Sequence, residues 1–275
     1  MSSKAMSFKA KINNYAKANQ IPAQVVLQNV MFERFLERLS KSEFRDKFVL
    51  KGGVLISALV GLDTRVTMDL DITLRKLPLT EKQISEAIKK ITEVELDDEV
   101  FFKIKSIAPI RKDDVYGGYR VKMDTIFEDI ITPLSIDLST GDVITPDAME
   151  YEIIGTIDEN VQISLWGYNI ETVLAEKMET LLSRGVTSTR PRDFYDIYIL
   201  SSEKEYSPAI FREALKATSE HRGSSEKIQD IESIIEVIEG SDVLRDLWEK
   251  YRKKFKYAEK ITFEDTINAV KKIME

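Results

Sequence analysis

Hydrophobic and polar positions give the chain two textures. Up to about residue 167, helical stretches are mixed with short apolar runs and alternating segments. From Asn169 onward, apolar residues recur almost everywhere at helical spacing. Residues 8–18 and 24–39 read as helices, the second striped by Val25, Leu27, Val30, Met31, Phe35, Leu36 and Leu39. A short strand at 48–50 is broken by Lys51-Gly52-Gly53, and a buried helix at 54–61 ends on Gly61. Residues 65–74 alternate. Val66, Met68, Leu70 and Ile72 point one way, and Arg65, Thr67, Asp69 and Asp71 the other, as in a strand with one buried and one open face. A helix at 79–94 starts with Thr80 and Gln83 in capping-box spacing. Strands are expected at 101–110 and 119–127, joined by a turn around Gly117-Gly118, then at 134–142 and 162–166. In the 134–142 strand Asp137 faces outward with Ser135 and Ser139. Helices follow at 171–184, 192–201, 208–219, 224–239, 241–256 and 263–274. The expected fold class is α+β: a mixed β-sheet with flanking helices over 1–168, then an all-helical domain over 169–275.

Composition narrows the chemistry. The chain has no cysteine and a single histidine, His221, in the polar stretch SEHRGSSEK, so His/Cys zinc sites and Ser-His-Asp triads are disfavoured. Carboxylates, lysine, arginine, hydroxyls and backbone amides remain. No run approaches the roughly 18 apolar residues of a membrane span, and residues 1–25 lack a signal-peptide core, so a cytoplasmic protein without a membrane partner is expected. A net charge of −7 argues against a nucleic-acid binder, but the charge is uneven. Residues 245–260 concentrate cations, with Trp248, Tyr251 and Phe255 interleaved among Lys250, Arg252, Lys253, Lys254 and Lys256. That cluster reads either as a polyanion surface or as an amphipathic helix with a solvated face.

Asp69 and Asp71 share one face of the expected strand, where two bare carboxylates repel. A divalent cation removes that cost, and Mg²⁺, with Mn²⁺ as an alternative, takes oxygen ligands from one or two carboxylates plus substrate phosphates. Asp137 can supply a third carboxylate, enough for two metals. Gly52 and Gly53, between a strand and a helix, let backbone amides approach phosphate at a helix N-terminus. Lys51 either contacts phosphate or decorates a turn. Arg65 is placed to pair with one of the aspartates, and Thr67 shares their face. Each feature alone has a bland explanation; their order and spacing together are far more specific.

The second block is ETVLAEKMETLLSR followed by TSTRPRDFYDIYIL. Lys177 and Arg184 lie two turns apart on one side of a helix. Lys177 either snorkels at the edge of the apolar stripe or binds phosphate. Asp193 falls in the first turn after Pro191, where the helix dipole favours it, and it is also placed to pair with Arg184 or Arg192. Asp196 reads as structural.

With these motifs in order (a Gly-Gly turn, R-x-T-x-D-x-D, A-E-K and R-D-x-Y-D), the chain resembles the nucleotidyltransferase superfamily of DNA polymerase beta and the tRNA CCA-adding enzymes. More closely, it resembles the AbiEii-type nucleotidyltransferase toxins of bacterial type IV toxin–antitoxin and phage-abortive-infection systems. The resemblance implies a nucleotidyltransferase-like fold for the first domain. It also implies catalysis by Asp69, Asp71, Asp137, Lys177 and Asp193, with metal on Asp69, Asp71 and Asp137. Nucleotide binding falls to Lys51, Gly52, Gly53, Arg65, Thr67, Lys177 and Arg184. It further implies an NTP substrate, a tRNA 3′ end as acceptor, and a cognate antitoxin or operon-encoded regulator as partner. Transfer of nucleotide or phosphate to a protein hydroxyl, and a non-catalytic nucleotide-binding module, are the alternatives.

Overall fold

The computed structural model describes residues 2–110 and 117–275; the expected turn between the 101–110 and 119–127 strands lies partly outside them. Two compact units are present. One comprises residues 1–142 and 149–167, the other 143–148 and 168–275.

The first unit opens with α1 (Ser3–Asn19) and α2 (Ala23–Ser40), followed by β1 (Phe48–Lys51), α3 (Gly52–Val60), β2 (Leu70–Leu74) and α4 (Glu81–Thr92). β3 (Val100–Pro109), β4 (Tyr119–Phe127), β5 (Ile130–Thr140), β6 (Met149–Ile154) and β7 (Gln162–Gly167) complete it. The strands form one seven-stranded sheet in the order β3-β4-β5-β2-β1-β7-β6. The sheet is mixed: β2 runs parallel to β5 and β1 parallel to β7, while the other neighbours are antiparallel. One face carries the apolar alternates Leu70, Ile72, Val121, Met123, Leu134, Ile136 and Leu138, all buried. α2 packs on β5 and β7, α4 on β3 and α2, and α3 on β1 and β2. The cap of α4 is half the expected box: the Thr80 hydroxyl accepts from the Gln83 amide.

The strand expected over 65–74 is shorter than its pattern. Only 70–74 pair, and 66–69 run as irregular chain. Their carbonyls are taken by side chains instead: Gln28 donates to Met68 O at 2.8 Å and Asn29 to Thr67 O at 3.0 Å. Without a ladder the alternation of burial lapses, so Arg65 and Thr67 are buried and Met68 is exposed. β5 begins four residues before its predicted start, and β6 is a strand the sequence pattern missed.

The second unit holds α5 (Ile170–Arg184), α6 (Pro191–Glu203), α7 (Pro208–His221), α8 (Ile231–Glu239), α9 (Asp242–Lys254) and α10 (Phe263–Met274). α8 starts later than the expected 224. The Asn169 side chain caps α5 by accepting from the Thr172 amide, and it donates to the carbonyls of Thr145 and Asp147. That contact ties residues 143–148 to the helical unit.

Candidate active site

The glycine turn and the aspartates are built against each other. β1 ends at Lys51, and Gly52 opens α3 with φ +63°, a conformation that costs any residue with a Cβ. A methyl group at Gly52 would run into the Asp71 carboxylate, and one at Gly53 into the Thr67 hydroxyl. The backbone therefore approaches the carboxylate as closely as only glycine allows. The Arg65 guanidinium lies under the same turn, hydrogen-bonded to Val66 O, with a nitrogen near Gly53. Arg65 and Thr67 thus support the turn from beneath, not from the open face on which the alternation placed them.

Across the open face a single row of charge spans four strands. Lys51 on β1 is in register with Asp71 on β2, Asp71 with Asp137 on β5, and Asp137 with Arg120 on β4. Like charges directly opposite are unfavourable. Here the two carboxylates are flanked by a cation on each side. Arg120 donates Nε and Nη2 to the two Asp137 oxygens at 2.7 and 2.6 Å, a bidentate fork. Lys51 donates to Asp142 at 2.8 Å, and Ser139 donates to the same oxygen at 2.6 Å. Asp69, just before β2, is exposed.

The electrostatics follow the row. Hydrogen bonding to Asp137, then the charge of Asp137, raise the Arg120 guanidinium above its ordinary range; burial opposes this slightly, and the charges of Asp69 and Asp71 add to the rise. The guanidinium thus sits in the field of all three candidate carboxylates. Burial pushes Asp142 up, but the charge and hydrogen bond of Lys51, with the Ser139 hydroxyl, outweigh it and hold the carboxyl at about 2.

The donor set fits a hard cation such as Mg²⁺, since Asp69, Asp71 and Asp137 offer only oxygen. Among the described residues, no three acidic or histidine groups converge as a ready-made cage. Asp71 and Asp137 stand side by side in register, with both Asp137 oxygens on Arg120, and Asp69 is exposed two residues before Asp71.

In the helical unit Lys177 on α5 meets Asp193 on α6, a pairing the sequence pattern did not indicate. Lys177 Nζ lies 2.7 Å from Asp193 and 2.9 Å from Asp196, so Asp193 takes Lys177 as its partner, where the sequence had left a dipole role or pairing with Arg184 or Arg192 open. Asp193 and Asp196 are almost wholly buried, and among the described residues the second oxygen of Asp193 has no hydrogen-bond partner. Arg184, exposed at the last turn of α5, takes no part in this cluster.

The family model for the AbiEii nucleotidyl transferase toxin of type IV toxin–antitoxin systems matches residues 34–269. The chain belongs to the AbiEii nucleotidyl transferase toxin family. Two crystal structures of Helicobacter pylori proteins share the fold. JHP933 superposes with a TM-score of 0.50 at 16% identity, over 92% of this chain and 93% of its own. A candidate nucleotidyltransferase gives 0.50 at 15%, over 92% and 96%. No curated protein sequence matches the chain significantly.

Against this AbiEii background, the structure adds residues that the motifs do not contain: Arg120, Asp142, Gln28 and Asn29. Their only sequence signal is a polar side chain in an otherwise ordinary strand, turn or helix. It also revises the C-terminal basic cluster. Trp248 and Tyr251 are buried core residues and Arg252 pairs with Glu249, which leaves Phe255 and Tyr257 as a half-exposed stacked pair with ring centroids 5.3 Å apart.

Proposed function

We propose that this toxin transfers a nucleotidyl group from an NTP to an acceptor hydroxyl in the cytoplasm, with the 3′ end of tRNA as acceptor and a cognate antitoxin as its restraint. The observation that carries the reading is the in-register Asp71–Asp137 pair set beside a glycine turn too tight for any side chain.

In this reading the acceptor oxygen attacks the α-phosphorus, the bond to the bridging oxygen of the β-phosphate breaks, and pyrophosphate leaves. Asp69 and Asp71, with Asp137, would hold Mg²⁺ or Mn²⁺, which supplies charge neutralisation at the triphosphate. The Gly52 and Gly53 amides, at the N-terminus of α3, bind phosphate oxygens. Asp137 accepts the hydroxyl proton once Arg120 shifts off it, and the released guanidinium remains beside the phosphates it can neutralise. The resemblance assigns Lys177 to the triphosphate and Asp193 to the same reaction. Positioning and electrostatics carry such a transfer.

The test is incubation of the protein with each α-labelled NTP, Mg²⁺ and total bacterial tRNA, beside an Asp69→Ala/Asp71→Ala double variant. Label on tRNA, absent with the variant, is expected. Label on protein would transfer the assignment to a protein hydroxyl. No label with a folded, toxic protein would overturn the proposal.

A further inference from the structure

The sheet face that carries the carboxylate row continues, uncovered, across three strands. Cross-strand register defines its rows. Beyond Ala108–Arg120–Asp137 come Ser106–Lys122–Ser135, then Lys103–Asp124–Pro133, then Phe101–Ile126–Ile131. The alternate residues of β4 and β5, among them Val121, Met123, Ile136 and Leu138, belong to the buried core. Along these rows Arg120, Lys122, Lys103, Phe101 and Ile131 are all exposed, Phe101 by 67% and Ile131 by 64%. A bulge at Lys105 places a further ammonium here, 2.8 Å from Asp124.

Two things distinguish this face. On a chain of net charge −7, its cations Arg120, Lys122, Lys103 and Lys105 outnumber its carboxylates, Asp124 and Asp137, each of which is already paired. The apolar row is also contiguous: an aromatic ring and two isoleucines stand side by side on adjacent strands. An open antiparallel sheet with phosphate-length cations and an exposed ring is a stacking platform for single-stranded nucleic acid. From Arg120 to Ile126 the track runs about 20 Å along β4, room for a few nucleotides. The exposed Glu128 and Asp129 bound its far end.

We infer that the open face of β3, β4 and β5 docks the acceptor polynucleotide. Its backbone crosses Lys122 and Lys103, a base stacks on Phe101 with Ile126 and Ile131, and its terminal hydroxyl is directed to Asp137. The inference rests on the function proposed above and names the surface that would deliver the acceptor. The face is favoured over the α9 lysines because it is continuous with the carboxylate row and its ring, Phe101, is far more open than the half-buried Phe255 and Tyr257.

The experiment is fluorescence anisotropy of full-length protein with a short single-stranded RNA bearing a free 3′ hydroxyl, over a salt series. The variants are Phe101→Ala, Lys103→Gln/Lys122→Gln and, as a control, Lys253→Gln/Lys254→Gln on α9. All these positions are exposed, and thermal melts would verify folding. Phe101→Ala is expected to weaken binding about tenfold. The Lys103/Lys122 variant should lower the slope of log affinity against log salt by about 1.4. The α9 control should bind like the native protein. Native-like binding by the face variants, or weakening confined to the α9 variant, would overturn the inference. So would face variants that bind RNA normally but lose a co-purifying antitoxin, since the face would then dock protein. Labelled transfer run in parallel separates the two failures. Label on RNA with unaffected face variants sinks only the docking surface, whereas label on protein sinks the proposed acceptor.

Discussion

Two clusters of aspartate and cation in this molecule have similar bond lengths and opposite surroundings. On the sheet, Arg120 holds Asp137 with side chains 45% and 23% exposed. In the helical unit, Lys177 holds Asp193 and Asp196 with side chains 19%, 6% and 0% exposed. An exposed pair contributes little to stability and exchanges partners readily, because water compensates whichever charge is released. A buried pair cannot let go without stranding a charge. The sheet cluster can therefore trade Arg120 for other cations during a reaction, whereas the helical cluster is fixed as the fold forms. Distance alone does not say how readily a pair can rearrange; the cost of letting go does.

The largest expected effect falls on activity. Asp69→Ala/Asp71→Ala should lower transfer by about a thousandfold or more, while changing stability in a urea melt by less than about 0.5 kcal/mol. Loss of the fold in that variant would erase the distinction between the clusters. Lys177→Met should, unlike that variant, also lower stability, by about 3 kcal/mol, because Asp193 and Asp196 would remain buried without a cation. Adding Asp193→Asn and Asp196→Asn to it should recover much of that loss, as urea midpoints would record.

Glu33 sharpens the comparison from a third side, since its contacts are the amide and hydroxyl of Thr156 in place of a cation. It lines a cavity of about 420 Å³. Burial pushes its carboxyl from 4.5 up to about 7, against the hydrogen bonds of Thr156 and the charge of Arg34. The folded state then holds this proton more tightly than the unfolded chain. Its contribution declines as pH rises from about 4.5 to about 7 and stays low above, by up to about 3 kcal/mol. Glu33→Gln should flatten the stability profile in that window. The contribution of Asp142, a lowered carboxyl, should instead be lost as pH falls from 3.8 toward about 2. The smallest effect is at Arg120→Ala, under about 1 kcal/mol in stability. The same change should tighten Mn²⁺ binding measured by titration calorimetry; unchanged or weaker binding would mean that Arg120 does not compete for the carboxylates.

Much of this was legible in the chain, for physical reasons that also mark the limits. Period-two alternation predicted the strands around Asp71, Arg120 and Asp137 because one face of the sheet is apolar and the other wet. The same alternation misled at 65–69, where the pattern persists but Gln28 and Asn29 replace a strand partner. Glycines at 52–53 announced a close approach, although only the fold shows that the approach is to the Asp71 carboxylate. Arg120 could not be found at all. Its importance arises from a register across a hairpin, and register is set by pairing that no local pattern records. The oriented triangle of Lys177 with two aspartates was partly visible as helix spacing, but the choice of Lys177 over a nearby arginine depends on how α6 packs on α5.

The parallel pairing of β2 with β5 also has a consequence in time. Asp71 meets Asp137 only after a long stretch of chain has been made, and β1, which begins the glycine turn, is flanked on its far side only when β7 reaches Trp166 and Gly167. Such long-range closures are slow, and they follow local helix formation. A ribosome partway through this message therefore carries helices and a hairpin but no assembled carboxylate row. The proposed site is therefore complete only once β5 has been made, well after the helices α1 and α2 that precede it.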